Sequence, residues 1–516
     1  MYRVLIALML ISTFSTFGQG PLTPPGGPNP TMKTLDQVEP RIPITNAVYN
    51  IAQPGSYYLT RNIDGLGIQS HNVTLDLMGF SIAATGGSAV YFYSAYTNVV
   101  IRNGTLSSTS GNGVEYVAAT ANARGLIEQV RIPKCQGIGL NLPAGFIVRD
   151  CEIYGCGSAG IQASGAIEVR NCHVENNGIG LALTTGSTVV GNTILNNNVA
   201  GLRVGGIGSY VADNIVKGNQ DNYDFAPGNQ LNLLIGEIPE TLDWPCVAKL
   251  AGTLTCNQIN TNGITVNADD VTIDLDGHAL AGPGADSGNG IHQANTLRNL
   301  SVLNGKAVYW KGQGMAGVYA HGKANLVSGV QAATNSNGIL VGEGGTLANC
   351  SAFANTSVGL AARSGSTLGD CSASYNGYAG FDVNSGTILR HCSAYKNGYH
   401  GIYAESECLL EDCVTTFNVR DGIMVNSNCQ IANCTASGNG NGGDGAGIHA
   451  LNGGNRIDGN NVASNDRGID VDLAGNLIVR NSARLNTVNY DISGGNSVGT
   501  ITNSPVGAGA WDNFTF

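Results

Sequence analysis

The chain has 516 residues, of which 74 are Gly and only 12% are charged, about half the usual charged share. Hydrophobic residues make up 42%, which excludes an intrinsically disordered chain. With 25 basic and 36 acidic side chains the net charge is −11, which argues against nucleic acid as a partner and leaves a polyanion needing a local basic cluster or a bridging cation.

The N-terminus reads as an export signal. Arg3 precedes an apolar run over 4–11, followed by small and polar residues to Gly20. This pattern predicts a signal peptide over 1–20, and hence a secreted, periplasmic or cell-surface protein. No later run is long and apolar enough to predict a transmembrane segment. Residues 21–33 are rich in Pro and Gly and read as a linker.

Repeats dominate the rest. In the first half, coils of 21 residues run over 130–150, 151–171 and 172–192, with Cys135 and Cys156, and Cys151 and Cys172, 21 apart. The second half is more regular. Cys350, Cys371, Cys392, Cys413 and Cys434 recur every 21 residues, and Asn355, Asn376, Asn397, Asn418 and Asn439 keep the same step. So do Gly338, Gly359, Gly380, Gly401 and Gly422. Between them apolar residues fall at every second place, in stretches too short for helices. Three short strands and three turns per repeat predict an all-β solenoid, a parallel β-helix with about 21 residues per coil. The Asn row falls in a turn, where amides one coil apart can bond. The Gly row precedes a strand, where positive φ is the expected reason for Gly.

A larger duplication is also visible. Asn72-Val-Thr-Leu-Asp-Leu-Met-Gly79 matches Asp270-Val-Thr-Ile-Asp-Leu-Asp-Gly277, and both halves close on Asn-Tyr-Asp, at Asn222 and at Asn489. The predicted division is a first β-helical half over 34–230, a second over 231–503 and an aromatic tail over 504–516, read either as a cover for the last coil's open end or as an export or sorting tag. Neighbouring coils place equivalent Cβ atoms about 4.8 Å apart, whereas a disulfide needs them near ~3.8 Å and converging. The laddered cysteines are therefore expected to be buried free thiols. Cys246 and Cys256 flank a short turn segment and are the one predicted disulfide.

With these repeats in view, the array resembles the right-handed parallel β-helix proteins of the pectate-lyase-like superfamily. The stretch 246–282, with Cys256, Val271-Thr-Ile-Asp-Leu-Asp-Gly277 and His278, resembles secreted bacterial β-helix repeat proteins. The resemblance implies a right-handed coil, an exported location and frequent action on polysaccharides. It supplies no active-site motif. The sole Asp-Asp, Asp269-Asp270, lies inside a strand block with no Gly-His-Gly to follow. Arg131-Ile-Pro-Lys134 lacks the second Arg of a lyase strand.

Candidate chemistry therefore rests on outward positions of the second half. The place after each ladder Gly gives His292, Tyr319, Asp382, Tyr403, Met424, His449 and Asp470. The place before it gives His400, Asp421 and Arg467. On one face, His400, Tyr403, Asp421, Asp382, His449 and Arg467 form the predicted catalytic set for a polysaccharide or cell-surface glycan. A lyase would use Arg467 against the uronate, His400 or His449 as base and Tyr403 as acid. A glycosidase would pair Asp382 with Asp421 or Asp470. Asp470 and Asp472, with Asp466 nearby, are a candidate Ca2+ site, although no cofactor is required. The alternative is a non-enzymatic cell-surface, adhesion or structural protein. The first-half row is poorer and reads as scaffold.

Overall fold

The computed structural model describes residues 41–117, 123–440 and 442–516. The signal peptide and linker expected over 1–33 lie outside the described residues. Every element among the described residues is a β-strand, and every strand pairing is parallel.

One coil shows why these residues form this shape. In 371–391 the strands are Ser372–Ser374, Phe381–Val383 and Ile388–Arg390. Phe381 and Val383 point in while Asp382 stays half-exposed, and Ala373 and Leu389 are the inward residues of the other two strands. Strands of three residues bury one or two side chains each, because alternation leaves no more. Stacking supplies the rest of the core. Leu360, Phe381, Ile402 and Ile423 pair coil to coil, as do Leu368, Leu389, Leu410 and Ile431. The bends between strands have their own sequence rule. Asp370, His391, Asp412 and Asn433, each just before a ladder Cys, take φ of 54, 51, 53 and 54°, a left-handed bend that Asn, Asp and His tolerate better than most residues.

The Asn row is a continuous buried amide ladder. Asn397 Nδ2 donates to Asn418 Oδ1 at 2.9 Å and to Ala373 O at 3.1 Å. Its own Oδ1 accepts from the backbone N–H and Nδ2 of Asn376 at 3.1 and 2.9 Å. Each side chain thus satisfies the polar groups of the turn before it, which burial would otherwise leave orphaned. The Gly row has a different cause from the one expected. None of its five members has positive φ. Instead, a Cβ at Gly359 would stand 2.6 Å from Asn376 Nδ2 and 2.7 Å from Gly380 O. Glycine is required because the amide ladder packs against bare backbone.

All thirteen cysteines are buried with free thiols. Cys371 and Cys392 lie on one flank, each Sγ donating to the carbonyl two residues before it, at 3.2 and 3.4 Å. The pairing expected of Cys246 and Cys256 is not formed. The two residues bracket successive strands, Val247–Leu250 and Leu254–Thr255, which pair onward with separate strands of the next coil, Thr272–Asp274 and Ala279–Gly284. They occupy different positions around the coil rather than opposing ones.

One 37-stranded sheet runs the whole length, while the remaining face is divided into a nine-strand and a twelve-strand sheet. The division falls between Asp221–Phe225 and Glu240–Leu242. The long sheet continues past it, through Tyr210–Lys217, Gln230–Ile235 and Val247–Leu250. The two short sheets therefore belong to one uninterrupted stack. At the far end, Asn513–Thr515 pairs with both Ser482–Arg484 and Ile501–Thr502. The aromatic tail is thus a final strand laid on an otherwise open edge.

Candidate functional site

The outward row of the twelve-strand sheet is in register. Cα pairing runs through His292, Tyr319, Leu340, Ala361, Asp382, Tyr403, Met424, His449, Asp470 and Asp491, one residue per coil. The row divides into a closed charged end and an open middle.

The charged end holds His400, Asp421, His449, Arg467, Asp470 and Asp472. Asp421 is buried. Its Oδ1 accepts from the Ala446 N–H at 2.7 Å, and its Oδ2 lies 3.3 Å from His449 Nδ1. His400 Nδ1 is 3.2 Å from the same Oδ2 but is not aligned for a hydrogen bond. His449 Nε2 faces Asp472 at 3.3 Å and Asp470 at 3.9 Å. Burial opposes charge on both His449 and Asp421, yet their mutual contact wins. His449 is pushed up to about 9, and Asp421 is held well below the usual carboxylate range by the two imidazoles and the Ala446 N–H. His449 is thus an imidazolium at neutral pH, with both ring nitrogens engaged. It has no free lone pair with which to act as the base expected of it.

Arg467 is also committed. It pairs with Asp444, with Asp470 at 2.9 Å and with Asp491 at 3.0 Å. A guanidinium surrounded by three carboxylates cannot also neutralise a uronate, so the role expected of it is not available. Asp444 comes from the Gly-rich insertion after Cys434, and Asp466 is drawn under the same insertion by the N–H groups of Gly442 and Gly443, at 3.3 and 2.9 Å. Asp466 therefore stands apart from the pair Asp470 and Asp472. Donor atoms of His449, Asp470 and Asp472 do lie within 4.8 Å of one another. One imidazole with two carboxylates fits a transition metal better than Ca2+, which prefers oxygen alone. Any such ion would first have to displace the His449 proton.

The open middle carries Arg363, Asp382 and Tyr403 on three consecutive coils. Arg363 follows Leu360–Ala362, is exposed, and forms no ion pair among the described residues. It shares a hollow of about 190 Å³ with Asp382, Asn384 and Asn337. Burial raises the proton affinity of Asp382 against the pull of the Arg363 charge, and burial likewise raises that of Tyr403. The Tyr403 ring lies 6.2 Å from His400, which abuts Tyr399 edge-on at 4.2 Å. Tyr399 stacks on Tyr378 at 4.8 Å and 12°, and Arg420 covers its other side at 4.9 Å. This makes an aromatic rim beside the hollow.

Two features escaped the sequence reading. Arg363 is not among the predicted site residues, since spacing alone does not show which arginine lacks a carboxylate. Glu240 escaped altogether. Its available signal was a carboxyl in a row otherwise filled by Ile, Leu, Val and Phe.

The sequence matches a known family. Residues 64–221 and 384–506 match the model described as "Right handed beta helix region". These stretches make up more than half of the chain, and the protein belongs to that family. Among solved structures it is similar to the A-module of Azotobacter vinelandii mannuronan C-5 epimerase AlgE6, at 12% identity over 83% of this chain and 91% of that one, with a TM-score of 0.16. It is also similar to the Dettilon tailspike protein gp208, at 13% identity over 79% of this chain and 62% of that one, with a TM-score of 0.18. No curated protein matches the chain. No helix among the described residues is long and apolar enough to cross a membrane.

Proposed function

We propose that the protein binds a uronate-bearing polysaccharide along its twelve-strand sheet and cleaves it by β-elimination at Arg363, Asp382 and Tyr403. One observation carries this reading: an unpaired guanidinium and a half-buried carboxylate share one hollow on successive coils, and a phenol follows on the next coil, paired in register with the carboxylate. Three coils span roughly 10 Å, the scale of a short stretch of sugar chain.

Each group has one task. Arg363 offsets the uronate charge, which acidifies the proton on C5. Asp382, ionised, takes that proton, and its raised proton affinity makes it a stronger base than an ordinary carboxylate. The C5–H bond electrons form the C4–C5 double bond while the C4–O bond breaks. The Tyr403 hydroxyl gives its proton to the departing oxygen. The Tyr378–Tyr399 rim offers faces on which sugar rings can stack.

Hydrolysis by paired carboxylates is less favoured by the geometry, because Asp421 is enclosed by imidazoles and Asp470 is held by Arg467. An exported location, expected from residues 1–20, suits a polymeric substrate outside the cell. The test is a panel of polygalacturonate, alginate and glucuronan, followed by the ultraviolet absorbance of unsaturated uronate. Product with the native chain and none with Asp382→Asn is expected. Retention of glycan without product would favour the adhesion reading, and neither product nor retention would overturn both.

A further inference from the structure

The place where the short sheets part is a second site. Asp221–Phe225 pairs only backwards, with Ala200–Val204, and Glu240–Leu242 pairs only forwards, with Ile264–Val266. Two strands that should be hydrogen-bonded neighbours instead face each other across a cavity of about 480 Å³. Both facing strand edges carry backbone groups that a paired sheet would satisfy.

Side chains bridge the gap. Asn222 Nδ2 donates to Glu237 Oε1 and to Glu240 Oε2, each at 3.0 Å, and Glu237 Oε1 also accepts from the Gly218 N–H at 2.6 Å. Two carboxyl groups therefore converge on one amide. Glu240 occupies a core position. It pairs with Ile264, which pairs with Ile291 and then Val318. Burial pushes its carboxyl up to about 7. A carboxyl in place of an apolar residue costs stability. Trp244 lines the same space, set edge-on to Phe225 at 5.1 Å.

The chemistry of the lining selects the ligand. No Lys or Arg lines the cavity, while Asp221 and Asp243 add further acidic groups, so a polyanion is repelled. The cavity's carboxylates are not gathered as a metal cage, since among the described residues the one cluster of three metal-binding side chains lies at His449, Asp470 and Asp472. The donors, acceptors and indole of the lining suit an uncharged molecule rich in hydroxyls. Carboxyl and amide groups bond its hydroxyls in both directions, and an indole covers its apolar face.

We propose that the cavity at the sheet junction binds a neutral sugar unit, independently of the groove around Asp382. The test uses the full chain with neutral hexasaccharides of glucose (α-linked and β-linked), xylose and mannose, and with a galacturonate hexasaccharide, by titration calorimetry. At least one neutral ligand is expected to bind. Its affinity should fall at least tenfold in Trp244→Ala and in Asn222→Ala and stay unchanged in Arg363→Ala, while the uronate ligand shows the reverse. Glu240→Gln keeps the shape and serves as the control should Trp244→Ala unfold, and it too should weaken neutral binding. No neutral binding by the native chain, or binding unaffected by Asn222→Ala and Glu240→Gln, would overturn the proposal. So would equal loss in Arg363→Ala.

Discussion

The coils over 350–433 and the junction over 221–244 are made from similar residues under opposite rules. In the coils, each buried amide meets the same amide one rung on, as Asn397 meets Asn418. In the junction, Asn222 ends the first-half ladder: its Oδ1 accepts from Asn219 Nδ2 at 3.1 Å, while its own Nδ2 donates to two glutamates instead of a further asparagine. The first arrangement satisfies each ladder amide and leaves none of them free to react, so any chemistry must lie on the outward row. The second leaves unpaired strand edges, a half-buried acid and space. Repetition in this chain builds the scaffold, and interruption of the repeat builds a pocket.

The comparison can be tested hardest at the outward row. Asp382→Asn should lower the rate of uronate elimination by about 10³-fold with little change in unfolding temperature, measured by absorbance kinetics and calorimetry. An equal loss of fold and rate would place Asp382 in the scaffold. Next in size is the ladder. Asn397→Ala leaves the N–H and amide of Asn376 without their acceptor and should cost about 3 kcal/mol in chemical denaturation. The half-exposed Asn222→Ala should cost far less.

The junction acid sharpens the contrast through pH. Glu240 holds its proton up to about 7 in the folded chain, against about 4.3 unfolded. Its contribution is intact below the unfolded value and is lost as pH rises through the folded one. Glu240→Gln should therefore stabilise the protein at pH 8 by ~2 kcal/mol, discounted for partial exposure, and change little at pH 4. His449 has the same sign at higher pH. Its stabilisation is complete below about 6.5 and fades as pH passes about 9, so His449→Gln should destabilise at pH 6 and be nearly neutral above pH 10. The smallest expected effect is that of Ca2+. Its addition should leave the unfolding temperature unchanged, because the imidazolium already balances Asp470 and Asp472.

The rows of Cys, Asn and Gly showed the parallel β-helix in the sequence, because a fixed step of 21 residues has few other physical meanings. The outward row was legible for the same reason, down to the pairing of Asp382 with Tyr403. What sat between rungs was not. The insertion after Cys434 brings Asp444 onto Arg467, and no periodic argument predicts where an insertion folds. The Gly row was found but misread, since sequence shows that a side chain is missing and not whether conformation or crowding forbids it. Cys246 and Cys256 looked like partners along the chain but lie at different stations around the coil. Glu240 was hidden because a search for regularity passes over the position that departs from it.

The unbroken register of the twelve-strand sheet has a mechanical meaning. Glu240 and Phe381, the neighbour of Asp382, belong to one line of paired positions, six rungs apart, or roughly 29 Å. Contacts in such a stack reach only the adjacent rung, so neither place should sense whether the other is filled. The rod instead acts as a ruler. A polymer long enough to touch both stations at once would be held by their combined grip, and fragments shorter than the gap would drift away.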